Sequence, residues 1–148
     1  MSAPFTISLG SDHAGLPLKR ALAEHLRGLG HVVTDRGTLT EESCDYPLYA
    51  QAVAADVNSG RSRFGVLVCS TGVGISIAAN KVHGIRAALV HNAEMAGLAR
   101  QHNDANVLCL GRRYVSPELG AACVDAFLAA AFEGGRHARR VGQLESGA

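Results

Sequence analysis

The chain has 148 residues, 47% of them apolar and 18% charged, a length and composition that suit one globular domain with a real core. A net charge of +1 gives no global pull toward nucleic acid or an anionic membrane, so any anion site must come from local placement of Arg and Lys. No apolar run is long enough to span a bilayer, Met1 to Phe5 carries no signal-peptide pattern, and the four cysteines form no CxxC pair, so free thiols in a reducing cytoplasm are expected.

Short apolar stretches alternate with longer amphipathic ones along the chain. Phe5 to Leu9 reads as a strand, followed by the turn Gly10 to Gly15. Leu16 to Leu29 reads as a helix with Leu18, Leu22, Leu26 and Leu29 on one face, Pro17 in its first turn and Gly30 as its stop. His31 to Asp35 is a second strand, Arg36 to Asp45 a polar loop, and Pro47 opens a helix that ends at Asn58-Ser59-Gly60. Phe64 to Cys69 is a continuous apolar run, the mark of a buried parallel strand. A glycine-bearing loop and a short helix to Lys81 follow, then a strand from Ile85 to Val90, a helix from Ala93 to Gln101 and a strand from Val107 to Leu110. The last helix runs from Pro117 to Phe132, and an arm beginning near residue 133 carries Arg136, Arg139 and Arg140. No repeat or linker divides residues 1–148, which read as a single domain.

Five strand–helix alternations predict an α/β fold in three layers around a five-stranded parallel sheet, with ligands bound at the carboxyl ends of the strands. That rule directs attention to Asp12 and His13, to the loop after Cys69, and to the turns after the fourth and fifth strands.

Cys69-Ser70-Thr71-Gly72-Val73-Gly74 joins a buried strand to a helix start. Glycines let main chain approach a ligand, and a helix N-terminus offers unpaired N–H groups to an anion. A thiol in that field can serve as a base or nucleophile; equally, Cys69 can be a small buried apolar residue. The loop matches neither a Walker A sequence nor GxGxxG. Asp12 can orient or polarise a neighbour or simply cap the first helix, and His13 can donate to phosphate. Gln101 to Asn106 reads as a turn with a satisfied histidine. Arg136 and Arg140, four apart, fall on one helical face and suit a phosphate clamp or a solvated basic end. No histidine and carboxylate show helical metal-ligand spacing, so no metal is expected.

Gly10-Ser11-Asp12-His13-Ala14-Gly15, Asp45-Tyr46-Pro47, Cys69 through Lys81, His102-Asn103-Asp104-Ala105-Asn106 and Glu133-Gly134-Gly135-Arg136-His137 occur in this order. Together, over roughly Ile7 to Val141, they closely resemble the ribose-5-phosphate isomerase B family and its sugar-phosphate isomerase relatives. The resemblance implies a Rossmann-like sandwich in a homodimer, or a tetramer, with sites at the subunit interface and no cofactor. The reaction it implies is aldose–ketose isomerisation through an enediolate, with Cys69 as the base and Thr71 and the loop amides holding the oxyanion. The family places its base at this cysteine or on a glutamate in the loop; Ile75 occupies the second position here. By the same resemblance His102 of the partner subunit opens the sugar ring, assisted by Asp12, and Asn103 touches the enediolate. Phosphate is expected to meet His13, Arg136 and Arg140, with Arg113 from the partner chain, and Tyr46 to line the sugar alongside Ser70, Gly72 and Gly74.

Ser70 departs from the glycine common after the cysteine, which bears on the sugar preferred. Ribose 5-phosphate is the default substrate; allose 6-phosphate, galactose 6-phosphate and a tetrulose phosphate are the alternatives, with a non-catalytic phosphosugar-binding module as the reading from another class.

Overall fold

A computed structural model describes residues 4–147. Strands β1 (Thr6–Ser11), β2 (Val32–Asp35), β3 (Phe64–Cys69), β4 (Ala87–Leu89) and β5 (Val107–Gly111) form one parallel sheet in the order β2-β1-β3-β5-β4. Between and after them lie α1 (Leu16–Gly28), α2 (Tyr46–Asn58), α3 (Val73–Asn80), α4 (Ala93–Asn103), α5 (Pro117–Ala129) and α6 (Arg136–Ser146).

The two-residue period of the strands assigns every core side chain to one side of the sheet. Ile7 and Leu9 of β1, Val66 and Val68 of β3, and Leu108 and Leu110 of β5 point one way, onto α1, α4 and α5. Leu67, Cys69, Val107 and Cys109 point the other way, onto Ala50, Val53 and Ala54 of α2 and Ile75 and Ala79 of α3. Leu18, Leu22 and Leu26 form the buried stripe of α1, each contributing about 1.5–3 kcal/mol by leaving water. Leu29, expected on the same face, is the C-cap and lies exposed where the helix ends. α4 and α5 begin where a side chain takes up an orphan amide: Asn92 accepts from the Met95 N–H at 2.8 Å and Ser116 from the Leu119 N–H at 3.1 Å.

β3 lies where its composition predicts. β4 is shorter than Ile85 to Val90, because Arg86 turns its main chain toward Asn106 before the ladder begins. At the outer edge of β4, the Asn80 side-chain amide accepts the Ala87 N–H at 2.8 Å and donates to the Ala87 carbonyl at 2.9 Å, standing in for one residue of a sixth strand. The expected helix ends also move. α4 runs on to Asn103, where Asp104 in the left-handed region (φ 47°) stops it, and α5 stops at Ala129. The expected basic arm is helical as α6, with His137 and Val141 on its buried side.

The strand order reverses between β1 and β3, whose connections leave in opposite directions. A crevice therefore opens at the carboxyl ends of these two strands.

Candidate active site

Cys69 is the last residue of β3, and its alternation turns the thiol toward α2 and α3, where the starts of both helices converge. The Gly72 N–H donates to Cys69 Sγ at 3.2 Å. Gly72 holds φ +80° as the N-cap of α3, and a Cβ there would collide with Leu89 and the main chain of Leu110 and Gly111. The sulfur therefore meets an aimed backbone donor at the N-terminus of α3. The Thr71 hydroxyl accepts the Val73 N–H at 3.2 Å, which leaves its own proton for a ligand oxygen. A Cβ on Gly74 would stand 2.6 Å from Tyr46 Cζ, so the absence of a side chain lets the Tyr46 ring lie directly on this loop.

Asp12 and His13 complete the crevice from β1. The Asp12 N–H bonds the Val68 carbonyl at 3.3 Å, and its carboxylate accepts the Gly15 N–H at 2.9 Å, so Asp12 does support the start of α1 while remaining beside β3. His13 Nδ1 accepts the Cys44 N–H at 3.2 Å, with the Cys44 thiol 3.8 Å away. That acceptor role places the neutral ring's proton on Nε2, ready to donate. Arg112 and Arg113 bond their amides to the Cys69 and Ser70 carbonyls, each at 3.0 Å, and keep their side chains exposed. Behind the site, burial and the neighbouring Cys69 charge push the Cys109 thiol far above its usual range, and burial raises Cys123. Neither thiol is a candidate base. A cavity of about 530 Å³ opens beside Thr71, walled by Val73, Leu89, His91 and Tyr114.

His102 and Asn103 stand elsewhere. α4 starts above the carboxyl end of β4 and descends, so its last turn lies at the amino end of the sheet; the Gly65 N–H at the start of β3 bonds the Asn106 carbonyl at 3.0 Å. A six-residue strand is about 20 Å long, so His102 and Cys69 of one chain belong to opposite ends of the sheet. α6 packs beneath α4 at this lower end, held by Arg86 to Glu145 at 2.8 Å, and brings His137, with Arg136 and Arg140 near it, against His102. The arginines are thus divided in the opposite way to that expected. Arg113 shares the Cys69 end of its own chain, whereas Arg136 and Arg140 accompany His102, because the Glu133 N–H bonds the Gln101 carbonyl at 3.0 Å and ties the entry of α6 to the end of α4.

Sequence reading missed Glu133, His137 and Cys44 as members of these two constellations. The expectation that no histidine and carboxylate share helical spacing fails at Glu133 and His137, which are four apart with Nε2 and Oε1 3.7 Å from each other. With His102 they form, among the described residues, a group of three ligand-type atoms within 4.8 Å. The two imidazoles are stacked, their centroids 4.3 Å apart and their planes 8° from parallel. An imidazole lone pair lies in the ring plane, and two parallel stacked planes share no point for an ion. As they stand, the rings face a carboxylate rather than enclose a metal.

Comparison with known proteins identifies the family. The Ribose/Galactose Isomerase family profile matches residues 7–144. Ribose-5-phosphate isomerase B of Escherichia coli K12 is 51% identical over 135 residues, 91% of this chain and 91% of that protein. D-erythrulose-4-phosphate isomerase of Pectobacterium atrosepticum is 40% identical over 140 residues, 94% of this chain and 92% of that one. The solved Clostridium thermocellum ribose-5-phosphate isomerase B superposes with a TM-score of 0.94 at 51% identity, covering 95% of each chain. With the profile spanning nearly every element of the sheet and the relatives aligned end to end, the chain belongs to the ribose/galactose isomerase family.

Proposed function

We propose that the chain interconverts ribose 5-phosphate and ribulose 5-phosphate without a cofactor, as a cytoplasmic homodimer or a pair of dimers, each subunit one domain with α6 as its arm. The observation that carries the chemistry is the Gly72 amide aimed at Cys69 Sγ. His102 of the partner subunit donates a proton to the ring oxygen while Asp12 draws the proton from the anomeric hydroxyl, and the sugar opens to its aldehyde. The Cys69 thiolate takes the C2 proton, and the electron pair moves to O1. The loop amides between Ser70 and Gly74 not already given to Cys69 and Thr71, with the Thr71 hydroxyl, meet that oxyanion, and Asn103 of the partner subunit meets the second oxygen. A proton passes from O2 to O1, Cys69 returns its own to C1, and the ketose forms with no net gain or loss of atoms. His13 Nε2–H and Arg113 serve the phosphate from the Cys69 side, Arg136 and Arg140 from the His102 side, and Tyr46 lines the sugar.

A second copy is favoured by the opposite placement of His102 and Cys69 on one sheet. Exposed Val73, Ile77 and Tyr114 beside the Thr71 cavity give that copy an apolar surface to cover. Ser70, with a hydroxymethyl group where the family commonly has glycine, favours a second reading in which the same reaction is run on another sugar phosphate. The relative named for D-erythrulose 4-phosphate belongs to that range. Measuring kcat/KM on ribose 5-phosphate, allose 6-phosphate, galactose 6-phosphate and erythrulose 4-phosphate decides between them. Preference for ribose 5-phosphate is expected. A higher value on a different sugar moves the substrate but keeps the mechanism, and binding without turnover on all four overturns it.

A further inference from the structure

His137 is absent from the chemistry above, yet it is the most constrained histidine at the lower end of the sheet. It is 6% exposed, and its Nε2 has no hydrogen-bond partner. Its ring lies flat against His102, itself 39% exposed on the last turn of α4. Glu133 Oε1 faces both rings, 3.8 Å from His102 Nε2 and 3.7 Å from His137 Nε2. The arrangement is set from outside the pair. Glu133 is tied to Gln101 by its amide, and the His137 N–H bonds the Gly134 carbonyl at 3.1 Å, so the Gly134-Gly135 turn delivers the ring beneath α4.

We propose that His137 is a positioning residue for His102: a buried imidazole on which the His102 ring rests, fixing its plane. The proposal rests on the isomerase reading, in which His102 opens the sugar ring.

Three physical facts carry it. A half-exposed histidine on a final helical turn has several open rotamers, and a flat ring beneath it removes most of them. Two imidazolium ions stacked at this distance repel, so an uncharged ring makes the better platform. The groups around His137 favour that form. Burial, Arg136, His102 and Arg140 all push its pKa below the usual 6.5, and Glu133 alone pushes it up. Asp104, the other carboxylate at the end of α4, is occupied by Arg100 at 2.7 Å and Arg86 at 3.4 Å. His137 is therefore held toward its neutral form, an uncharged face for the His102 ring to lie on.

The test compares His137→Ala, which removes the platform, with His137→Phe, which keeps a flat ring and removes the nitrogens. With ribose 5-phosphate, Ala is expected to lower kcat by roughly 10-fold or more at nearly unchanged KM, since a misplaced catalytic group costs up to about 100-fold. Phe is expected to restore most of that loss. Proton NMR of the His102 ring supplies a readout independent of turnover. Its ring protons, shielded by the stack in wild type and in Phe, should move downfield in Ala. Wild-type kcat in Ala, equal losses in Ala and Phe, or a loss confined to KM would each overturn the proposal. If Ala fails to fold, a folded but inactive Phe variant would overturn it alone. A shielded His102 in a protein that turns over no phosphosugar would refute the isomerase reading and leave the stack standing.

Discussion

Lys19 Nζ lies 2.6 Å from Asp35 Oδ1, and no part of the lysine side chain reaches solvent. The same ammonium donates to the Thr38 carbonyl, so one buried charge on α1 fastens the end of β2 to the loop that follows it. That loop continues to Cys44, whose amide fixes His13. Lys19→Met keeps the length of the side chain but strands a carboxylate and a carbonyl. Loss of one partner of a buried pair costs about 3–5 kcal/mol, and the lower figure applies because Asp35 is 22% exposed. At about 2–4 °C per kcal/mol for a chain of this size, a thermal melt should show Tm lower by about 6–12 °C. An unchanged Tm would remove Lys19 from the list of anchors.

Placement of Cys69 and His102 at opposite ends of one sheet makes a complementation experiment decisive. Cys69→Ala and His102→Ala should each lower kcat by about 10²–10⁴-fold alone. Unfolded together and refolded as an equal mixture, they form mixed dimers with one intact site and one doubly damaged site. Random pairing then predicts recovery of about a quarter of wild-type activity. No recovery, with mixed dimers verified by native mass spectrometry, would mean that each subunit works with its own residues.

Thiol labelling separates Cys69 from Cys109 and Cys123 by their surroundings. Iodoacetamide should alkylate Cys69 in the folded protein and abolish turnover, with ribose 5-phosphate protecting. Cys109 and Cys123 should stay unlabelled, because burial pushes both thiols up and keeps them protonated. Peptide mass spectrometry reads the sites, and labelling of Cys109 with Cys69 untouched would contradict the assignment of the base.

Gly74→Ala tests the contact between the loop and Tyr46. The new methyl would stand 2.6 Å from the tyrosine ring, which is half-exposed and able to swing aside. Stability should change by less than about 1 kcal/mol, whereas KM should rise by roughly 10-fold through the displaced wall of the sugar site. A large fall in Tm with KM unchanged would show the contact to be structural only.

The lowered pKa of His137 gives stability a defined acid dependence. In the unfolded chain this imidazole takes up a proton near pH 6.5; in the folded chain it does so only at a lower pH. Between the two values the unfolded state binds more protons, so the contribution is full above about pH 6.5 and is lost as pH falls through the folded value. Urea unfolding at a series of pH values should show a shallower acid loss for His137→Gln than for wild type. Identical slopes would mean that the folded ring titrates normally.

How much of this was legible in the sequence depends on how far apart the interacting residues lie. Phe64 to Cys69 was readable to its ends because a strand buried on both faces needs an unbroken apolar run. Leu18, Leu22 and Leu26 were readable by period alone. The end of α4 was not, since Gln101-His102-Asn103 has the composition of a turn, and its Gln101 carbonyl is taken up by the Glu133 N–H, 32 residues later. α6 offers few apolar residues, and its order comes from the packing of His137 and Val141 and the distant Arg86–Glu145 pair. The segments bearing Arg113 and Arg136 both looked basic. Which end of the sheet each serves follows from main-chain bonds to Ser70 and Gln101 that leave no trace in composition.

Asn80 has a consequence for how copies of this chain can meet. By saturating the outward N–H and C=O of Ala87, its amide closes the rim of a strand only three residues long. A neighbour approaching there finds side chains instead of an open ladder, so it cannot add its own strand and pass the vacancy on to the next molecule. Strand addition is left to the opposite edge, β2, where two copies can pair edge to edge once. Such contacts end in closed, countable particles rather than in fibres.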